Sequence, residues 1–537
     1  MSHSWRRLLS IAVCAAVVML LGPAAAPSAQ EKPQYGGELV FVVPAEPPSF
    51  DAHREETFGM LHPAAPHYNT LLRVDPFDRT GTKFIGDLAE SWTSSADKRT
   101  WTFKIRRGVK FHDGSVLTAR DVKASYDHIV FPPEGVVSSR KEQYRPVEAI
   151  EAPSADTVVF RLKWYEASFM ATLASPWNWI YKADILAKDP HWYEKNVMGT
   201  GPFKFGEHVK GSHWVGKKFV DYWDRGRPYL DGYRAIFIPN TAARIAAVRG
   251  ERALIEFRAF NPAARDALVS SLGPKLVVKE SAWDCALWVV PHHEKKPWDD
   301  ARVRRALTLA VDRWNGSKAL SKITIVKEVG GVQVPGTTYA ATETELSRLA
   351  GYGRDVDAAR AEARRLLREA NVPDGFSFVF NNRNLPEPFE PLAIWLVDQW
   401  KKVGLNATVR VLETAAWFNA LRVGDFEVSM DGQCGYIVEP DLDLYKFLSA
   451  DRTDASYGRY TDRVLDSLYD RQARARDVDD RRRLVRDFEK RLLDEQAHVI
   501  PTLWWNRIVP YHARVRGFTI TPSHFLNAQL DTIWLAE

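Results

Sequence analysis

Hydrophobic and polar positions first predict a mixed unit of strands and helices. Residues 38–43 are mostly apolar and a proline-rich turn follows them, which is typical of a buried strand. Residues 233–238 predict a second strand, a helix over 241–248 follows, and residues 253–257 predict a third strand. Gly250 lies where that helix ends. A strand, a helix and a strand in succession form a βαβ unit, whose strands pair in parallel.

A second region alternates apolar and polar residues with a period of two. Residues 100–105 and 156–163 both show this alternation, which is typical of strands with one buried face. Between them, Thr118 and Asp121 form a capping box that begins a helix ending near Ile129. The region therefore predicts a β-rich lobe inserted into the first unit.

A longer series of helices and strands occupies the second half of the chain. It begins near Trp283, and Asp299 or Asp300 caps its first helix. The later elements are a helix over 356–369, a strand over 376–381, a helix over 391–403, a strand over 407–412, a helix over 415–423 and a strand over 426–431. This alternation predicts parallel pairing with right-handed crossovers, and the fold class is α/β.

Polar residues gather where two of these strands end. Residues 381–384 read Asn-Asn-Arg-Asn, and residues 431–436 read Asp-Gly-Gln-Cys-Gly-Tyr. In an open parallel sheet, ligands bind outside the carboxyl ends of the strands. Both segments are therefore candidates for a recognition rim. The alternative, two ordinary solvated loops, stays open.

The N terminus predicts an export signal. Arg6 and Arg7 precede an apolar stretch over 8–21, and small residues follow it through Ala29. A membrane anchor is the alternative, but the stretch is shorter than the roughly 20 residues that span a bilayer. No later segment is apolar enough to cross a membrane, so an integral membrane protein is not expected. We expect cleavage after Ala29 and localisation in the periplasm.

Composition excludes several classes of function. The 73 Lys and Arg residues nearly balance the 68 Asp and Glu residues, and the two signs are mixed along the chain. Nucleic acid is therefore not an expected partner. The chain has only 3 cysteines, too few for a disulfide scaffold or a zinc cluster. No metal or cofactor is expected. The 19 tryptophans are typical of a protein whose aromatic rings stack on a bound ligand.

Two cysteines are candidates for a disulfide, and two adjacent histidines are candidates for a metal site. Cys285 and Cys434 lie in the same predicted lobe, and a disulfide between them is possible in an oxidising compartment. Two separate buried thiols are favoured, because the sequence does not reveal their geometry. His292 and His293 point to opposite faces of an extended chain, so a polar loop is favoured over a metal site.

The motifs of common enzymes are missing from the sequence. There is no Gly-x-Ser-x-Gly, no His-Glu-x-x-His, no Cys-x-x-Cys and no phosphate-binding glycine loop. Paired carboxylates, as in a glycoside hydrolase, remain open because 68 acidic residues offer many pairs. A binding protein is favoured over an enzyme. The alternative is a secreted carbohydrate- or peptide-processing hydrolase, and a structural or chaperone role is the third class.

Short segments along the chain together resemble one known family. They are LAESW at 88–92, WTF at 101–103, RGVKFHDG at 107–114, LTARDV at 117–122, GTGPF at 199–203, DYW at 221–223, WDDARVRRAL at 298–307, GVQVPG at 331–336, LLREA at 366–370 and VGL at 403–405. In this order they resemble the extracytoplasmic solute-binding proteins of peptide-type ABC importers, family 5. That family covers periplasmic dipeptide-, oligopeptide- and nickel-binding proteins, and the resemblance spans essentially the whole mature chain.

The resemblance implies a hinged, type II-like two-lobe periplasmic-binding-protein fold with an extra β-rich third lobe. By analogy, lobe I takes 30–64, 195–282 and 503–537, lobe II takes 65–194, and lobe III takes 283–502. Two strands would then cross between lobes I and III. Trp283, Trp504 and Trp505 flank the crossings. They are expected to stack on a ligand, and hinge packing is the alternative.

The resemblance also implies site residues. Family members that bind peptides with free termini use an arginine for the ligand carboxylate and a carboxylate for its ammonium. Arg383 falls close to the arginine position, whereas Tyr436 stands where the aspartate would be and Gln433 replaces a tryptophan. A buried ammonium without a carboxylate is costly. We therefore expect a carboxylate-bearing or neutral guest, such as a modified peptide, an opine-like conjugate or a small glycoside, with Gln433 and Tyr436 as polar contacts.

The function implied is that of a substrate-binding receptor of an ABC importer. Such a receptor captures a peptide-like or related small solute by hinge closure and delivers it to permease subunits with their ATPases. A monomer without enzymatic activity is expected.

Overall fold

The structure is a computed structural model that describes residues 31–55 and 57–537. The predicted signal peptide lies outside the described residues. The strands are β1 Glu38–Val43, β2 Leu72–Val74, β3 Phe84–Gly86, β4 Ala89–Ser94, β5 Thr100–Ile105, β6 Val147–Ser154, β7 Thr157–Leu162, β8 Phe203–Val209, β9 His213–Lys218, β10 Gly232–Phe237, β11 Leu276–Pro291, β12 Val326–Glu328, β13 Phe376–Arg383, β14 Leu405–Leu412, β15 Val428–Cys434, β16 Ile500–His512, β17 Val515–Arg516 and β18 Trp534–Leu535.

Helices connect and cover these strands. They are α1 Phe58–Ala64, α2 Ala119–Val130, α3 Phe169–Leu173, α4 Ala183–Lys188, α5 Thr241–Arg249, α6 Pro262–Leu272, α7 Ala301–Leu309, α8 Arg313–Leu320, α9 Glu343–Leu346, α10 Val356–Glu369, α11 Phe389–Lys401, α12 Thr414–Val423, α13 Pro440–Leu444, α14 Arg463–Ala473 and α15 Val478–Lys490. The α/β fold class predicted from the sequence is confirmed.

The first sheet has the strand order β1-β10-β9-β8. β1 and β10 are parallel, with Leu39 opposite Tyr233, and the other pairs are antiparallel. Leu39 and Phe41 are fully buried because α1 and the end of the chain cover this face. The C-terminal residues in this core are Val509, Tyr511, Val515, Phe518, Leu526, Leu530, Ile533 and Leu535. The first core is therefore built from both ends of the chain.

The second sheet is antiparallel and has the order β4-β5-β7-β6. Its buried face packs against α2, where the rings of Tyr126 and Phe160 meet edge to face with centroids 5.0 Å apart. The predicted capping box of α2 is confirmed, since the Thr118 amide donates to Asp121 at 2.8 Å. This sheet is the β-rich region that the alternating pattern predicted.

The third sheet has six strands in the order β12-β16-β11-β15-β13-β14. β13 is parallel to both β14 and β15, as the alternation of helices and strands predicts. The expectation of parallel pairing is wrong for the rest of the sheet, because β11, β12 and β16 join in antiparallel pairs. The sheet is therefore mixed, and α10 and α11 lie in the same core.

β11 and β16 are long strands that connect the first and third cores. They pair in antiparallel fashion from Leu276 opposite His512 to Val289 opposite Ile500. Val509 and Tyr511 at one end of β16 belong to the first core, whereas Leu503 at the other end belongs to the third. A continuous two-strand ribbon thus runs from one core into the other.

Two further sequence predictions need correction. Residues 253–257 do not form a strand, because they meet β1 only at a single bridge between Phe41 and Ile255. The neighbouring Leu254 carbonyl instead accepts from the amide of His512. The strand predicted to end at Asp431 continues to Cys434, so residues 431–434 of the second predicted rim lie inside β15.

Among the described residues, no helix is both long enough and apolar enough to cross a membrane.

Candidate functional site

A β-bulge in β11 takes Asp284 out of the regular ladder. The pairing of β11 with β16 shifts between Trp283 and Ala286, so Asp284 and Cys285 have no partner across that edge. The amide of Asp284 instead donates to the carbonyl of Pro522 at 2.8 Å. Bulges re-aim side chains and are frequent beside binding sites.

On its other edge, β11 carries a disulfide to β15. Cys285 lies directly opposite Cys434, with the Cα atoms 4.1 Å apart, and the two sulfurs are bonded. The prediction of two separate thiols is therefore wrong. The sheet register brings together two residues with a sequence separation of 149, and the sequence does not display that register.

His524 lies beside this disulfide, and its Nδ1 is 3.2 Å from the Cys285 sulfur. Cys285, Cys434 and His524 lie close enough together to be considered as metal ligands. The two sulfurs are bonded to each other, however, and metals such as zinc bind the charged thiolate form of cysteine, not a disulfide. Burial and the nearby charges of Arg507 and Arg258 lower the pKa of His524 well below its usual value. The neutral ring accepts a hydrogen bond from the Trp283 indole at 3.0 Å.

Removal of the disulfide is expected to lower the free energy of unfolding by about 2–4 kcal/mol, because the bond restricts a long loop in the unfolded chain. Urea unfolding of the Cys285→Ala/Cys434→Ala variant measures this loss. The wild-type protein in the presence of a reductant should unfold at the same urea concentration as the double variant. A double variant as stable as the oxidised protein would contradict the assigned bond.

Four acidic residues gather beside this disulfide. Glu439 and Asp441 share Arg481, which forms an ion pair with both and lies 3.3 Å from the Asp441 carboxylate. Asp284 and Asp443 are each 2% exposed, and neither forms an ion pair with a basic side chain of the described chain. Two carboxyls of the group therefore share the single positive charge of Arg481, and the other two have no basic partner.

Burial changes the acidity of the two uncompensated carboxyls. It raises the pKa of Asp284 to about 8. The pKa of Asp443 is also raised well above its usual value, first by burial and then by the charges of Asp284 and Glu439. Asp284 is therefore largely protonated near neutral pH when no cation lies beside it, and burial favours the protonated form of Asp443 as well.

Five buried oxygens of this acidic group and its two neighbouring glutamines accept no hydrogen bond within the described chain. They are Oδ2 of Asp284, Oδ2 of Asp441, Oδ2 of Asp443, Oε1 of Gln333 and Oε1 of Gln433. Gln433 uses its Nε2 to donate to the carbonyls of Leu442, at 3.4 Å, and Asp443, at 3.1 Å. A buried acceptor without a donor costs about 1–3 kcal/mol. A guest group with several donors would relieve that cost.

Arg383 lies at the end of β13 among aromatic rings. Its guanidinium carbon is 5.5 Å from the ring centre of Phe389 and 5.6 Å from that of Trp417, and its Nε donates to Thr414 at 3.0 Å. Burial, and then the charge of Arg258, lower the pKa of Arg383 to about 10. No carboxylate of the described residues forms an ion pair with it.

Arg258 approaches Arg383 from the segment that follows the first sheet. Burial lowers the pKa of Arg258, the charge of Glu256 opposes that shift, and Arg244 already forms an ion pair with Glu256 at 3.0 Å. Arg507 on β16 is also nearby, but its guanidinium donates to two carbonyls of the C-terminal segment. Arg258 and Arg383 are thus two like charges in a partly buried region without an ion-pair partner in the described chain. An anion would stabilise both.

Tyr436 follows β15 and turns towards the second region. Burial raises the pKa of Tyr436, and Arg140 and Ser175 lie close enough to oppose that shift. The structure therefore places Gln433 with the acidic group and Tyr436 beside Ser175. Arg383 lies on β13, on the other side of β15 from Asp284.

The three predicted tryptophans are all buried. Trp283 is 0% exposed, stacks on His524 with centroids 5.5 Å apart, and carries Arg507 over its ring at 4.2 Å. Trp504 donates from its indole to the Gly331 carbonyl at 2.9 Å. The indole N–H of Trp505 has no partner among the described residues. Of the three, only Trp505 keeps an unused donor.

Sequence reasoning missed Asp284, Asp443, Arg258 and Gln333. One signal was available for Asp284, because it is the single charged residue within the otherwise uncharged run 283–290. A lone carboxylate in a buried strand needs a partner or a function. No comparable signal distinguishes Asp443 from the other acids of the segment 439–443.

Comparison with known proteins places these features in a family. The sequence model described as bacterial extracellular solute-binding proteins, family 5 Middle, matches residues 83–455. The chain is 27% identical to the dipeptide-binding protein of Escherichia coli over 512 residues, which covers 88% of this chain and 91% of that protein. It is 25% identical to di/tripeptide-binding protein 1 of Pseudomonas aeruginosa, over 91% of this chain and 93% of the relative.

Solved structures show the same fold. The periplasmic binding protein DppA from Helicobacter pylori, in complex with the peptide STSA, superposes with a TM-score of 0.79 at 23% identity and covers 94% of this chain and 99% of its own. The oligopeptide-binding protein AppA from Bacillus subtilis, in complex with a nonapeptide, gives a TM-score of 0.79 at 21% identity, with 94% and 100% covered. The family match extends over more than half of the sequence. The chain therefore belongs to the bacterial extracellular solute-binding proteins of family 5, the substrate-binding receptors of ABC importers.

Proposed function

We propose that this receptor captures a peptide-like solute that carries an anionic group, and that Arg258 and Arg383 bind that group. One observation carries the proposal. Burial, and then the charge of Arg258, lower the pKa of Arg383, and the charges of Glu256 and Glu387 act on Arg258 without an ion pair to it. Neither arginine forms an ion pair with a carboxylate of the described chain. Fork-shaped guanidinium groups bind carboxylates with two parallel hydrogen bonds, so a carboxylate is the anion that fits best.

In this proposal, closure of the hinge brings Arg258 and Arg383 onto the same solute. The division into lobe I (30–64, 195–282 and 503–537), lobe II (65–194) and lobe III (283–502) stays a prediction, and it assigns Arg258 to lobe I and Arg383 to lobe III. β11 and β16 then form the hinge. A solute that contacts both arginines favours the closed form, because it gains both contacts only there.

The remaining predicted contacts surround the solute. Gln433 keeps a free acceptor and Trp505 a free donor, which supports polar contacts from both. Tyr436 remains the predicted contact towards lobe II. A stacking role for Trp283, Trp504 and Trp505 stays a prediction, although the first two already use their indole N–H groups within the protein.

The closed, loaded receptor is proposed to dock on the permease subunits of an ABC importer, whose ATPases drive uptake. The relatives named as dipeptide- and di/tripeptide-binding proteins support a peptide-like cargo. We further propose a periplasmic monomer that starts at residue 30 and releases its solute unchanged, without catalysis. Incubation with the purified solute should return it intact, and any product would support the hydrolase alternative.

Native mass spectrometry of the gently purified mature protein tests the proposal. We expect a stoichiometric adduct whose small molecule, released by denaturation, contains at least one carboxylate or comparable anionic group. The Arg383→Ala variant, purified in parallel, should lose the adduct. A solute without an anionic group would contradict the assignment of Arg258 and Arg383.

A further inference from the structure

A contact outside the proposed solute site joins the surroundings of the second sheet to the third core. The amide of Ala167, between β7 and α3, donates to the carbonyl of Ala473 at the end of α14, and the two atoms are 2.8 Å apart. Arg476 donates to the carbonyl of Asp97, in the turn between β4 and β5, at 3.0 Å. Two hydrogen bonds thus connect parts of the chain that are distant in sequence.

Two aromatic rings add to this contact. The guanidinium carbon of Arg474 lies 5.6 Å from the ring centre of Trp164, and that of Arg476 lies 5.2 Å from the ring centre of Tyr165. A cation over the face of an aromatic ring is attracted by the negative charge of that face. The rings follow β7 and the arginines follow α14, so each side of the contact is one short segment.

We propose that residues 164–167 and 473–476 form a latch that is made only in the closed receptor, and that making the latch takes up one proton at Glu166. This inference rests on the hinge closure of the proposed function. It concerns the balance between the open and closed forms and not the recognition of the solute, so it does not depend on the chemistry of the cargo.

The connections between the cores indicate that this contact breaks when the hinge opens. β11 and β16 connect the first core to the third. The second sheet is joined to the first core instead, because Tyr68, Trp179 and Tyr181, which lie in the segments beside that sheet, pack in the first core. The second sheet is therefore expected to move with the first core when the ribbon bends. Its contact with the end of α14 lies across the moving boundary.

Glu166 lies within the latch without a basic partner. Its side chain is partly buried and accepts a hydrogen bond from the indole of Trp164 at 2.9 Å, and no basic side chain of the described residues forms an ion pair with it. Asp441 of α13, on the other side of the contact, is 2% exposed. Burial, and then the charge of Asp441, raise the pKa of Glu166 to about 8. Closure therefore brings two carboxyl groups near each other.

The basic groups around this carboxyl compensate its charge only partly. Arg145, before β6, and Arg474, after α14, oppose the rise in its pKa but do not cancel it. Arg481 of α15 forms its ion pairs with Glu439 and Asp441, on the other side of the contact. Protonation is therefore the way in which the closed form removes the remaining charge.

The raised pKa of Glu166 makes closure depend on pH. In the open form this carboxyl meets water, where a glutamate has a pKa of about 4.3, whereas its pKa in the closed form is about 8. Between these values the closed form holds one proton more, so it is stabilised at low pH and loses that stabilisation as the pH rises towards 8. Tyr165 and Tyr469, which also lie nearby, stay neutral in this range because burial raises the pKa of both.

Single-molecule fluorescence energy transfer tests the latch on the mature, solute-depleted protein. Glu134→Cys, after α2, and Asp479→Cys, on α15, carry the two dyes, since both side chains are exposed and the native disulfide does not react. We expect the ratio of closed to open receptor to fall at least about tenfold from pH 5.5 to pH 8. With Glu166→Gln added, the ratio should stay high at both pH values, because glutamine resembles the protonated carboxyl.

Matched variants separate the proton from the other contacts of the latch. Glu142→Gln removes an exposed acid near β6 and should keep the pH dependence of the wild type. Arg476→Ala removes a hydrogen bond and a ring contact, so it should lower the ratio of closed to open receptor about two- to fivefold at every pH. Arg471→Ala removes an exposed arginine of α14 and should leave the ratio unchanged.

Several outcomes would overturn the latch. A ratio that does not change with pH excludes proton uptake, and a pH dependence that persists in Glu166→Gln assigns the proton to another group. A receptor that is fully open at pH 5.5 shows that the contact does not stabilise the closed form. These three results leave the anion site of the proposed function intact. Dye positions that never separate, with or without the co-purified solute, would overturn hinge closure and with it the proposed function.

Discussion

The Arg383→Ala variant is expected to bind the co-purified solute about 100-fold more weakly than the wild type, because truncation of one partner of a buried charge pair costs about 2–5 kcal/mol. The loss has two sources: the solute anion loses a bidentate partner, and Arg258 remains alone with it. Isothermal titration calorimetry with the identified solute measures this change.

Two further variants make the result specific. Arg383→Lys keeps the charge but loses the fork geometry, so an intermediate loss of about tenfold is expected. Arg365→Ala removes an exposed arginine of α10 with a side-chain exposure of 48% and should leave the affinity unchanged. Because Arg383 also donates to Thr414, the melting temperature of each variant is compared first. Unchanged affinity of Arg383→Ala would exclude this residue from the site.

The Arg313→Met variant is expected to lower the free energy of unfolding by about 3–5 kcal/mol, since it removes a buried, fully hydrogen-bonded charge. The Arg313 side chain is 0% exposed. It donates to the carbonyls of Pro501 at 2.9 Å and Gly351 at 2.8 Å and to the Thr308 hydroxyl at 2.8 Å. These bonds join α7, α8 and the start of β16.

Urea unfolding followed by tryptophan fluorescence measures the loss for Arg313→Met. Methionine fills much of the same volume, so the expected destabilisation comes from the carbonyl groups left without donors rather than from a cavity. The matched control is Arg365→Met at the exposed arginine of α10, which should change the free energy of unfolding by less than about 0.5 kcal/mol. Equal effects of the two substitutions would contradict the anchoring role of Arg313.

Local signals in the sequence predicted much of the secondary structure. The bounds of α10 agree with the predicted helix over 356–369, because Asp355 caps its first turn and its apolar face has a clear helical period. The segment 253–257 has the composition of a strand but only one bridge to β1. Its pairing depends on the long-range path of β16, which no local pattern encodes.

The site was less predictable than the fold. The family resemblance and the ends of strands make Arg383 and Gln433 candidates, and their role in binding stays a prediction. The disulfide, the bulge at Asp284 and the approach of Arg258 all depend on which residues of distant strands lie opposite each other. Register is set by the packing of whole faces, so these contacts cannot be derived from neighbours in the sequence.

The first core contains residues from both ends of the chain, and this affects when it can form. Leu39 and Phe41 pack in the same core as Phe518 and Ile533, which are synthesised last. At about 5–20 residues per second, the β1 side chains wait roughly tens of seconds for these partners. The second and third cores are complete before translation ends, whereas the first must be assembled afterwards. The core that begins first along the chain is therefore the last to be completed.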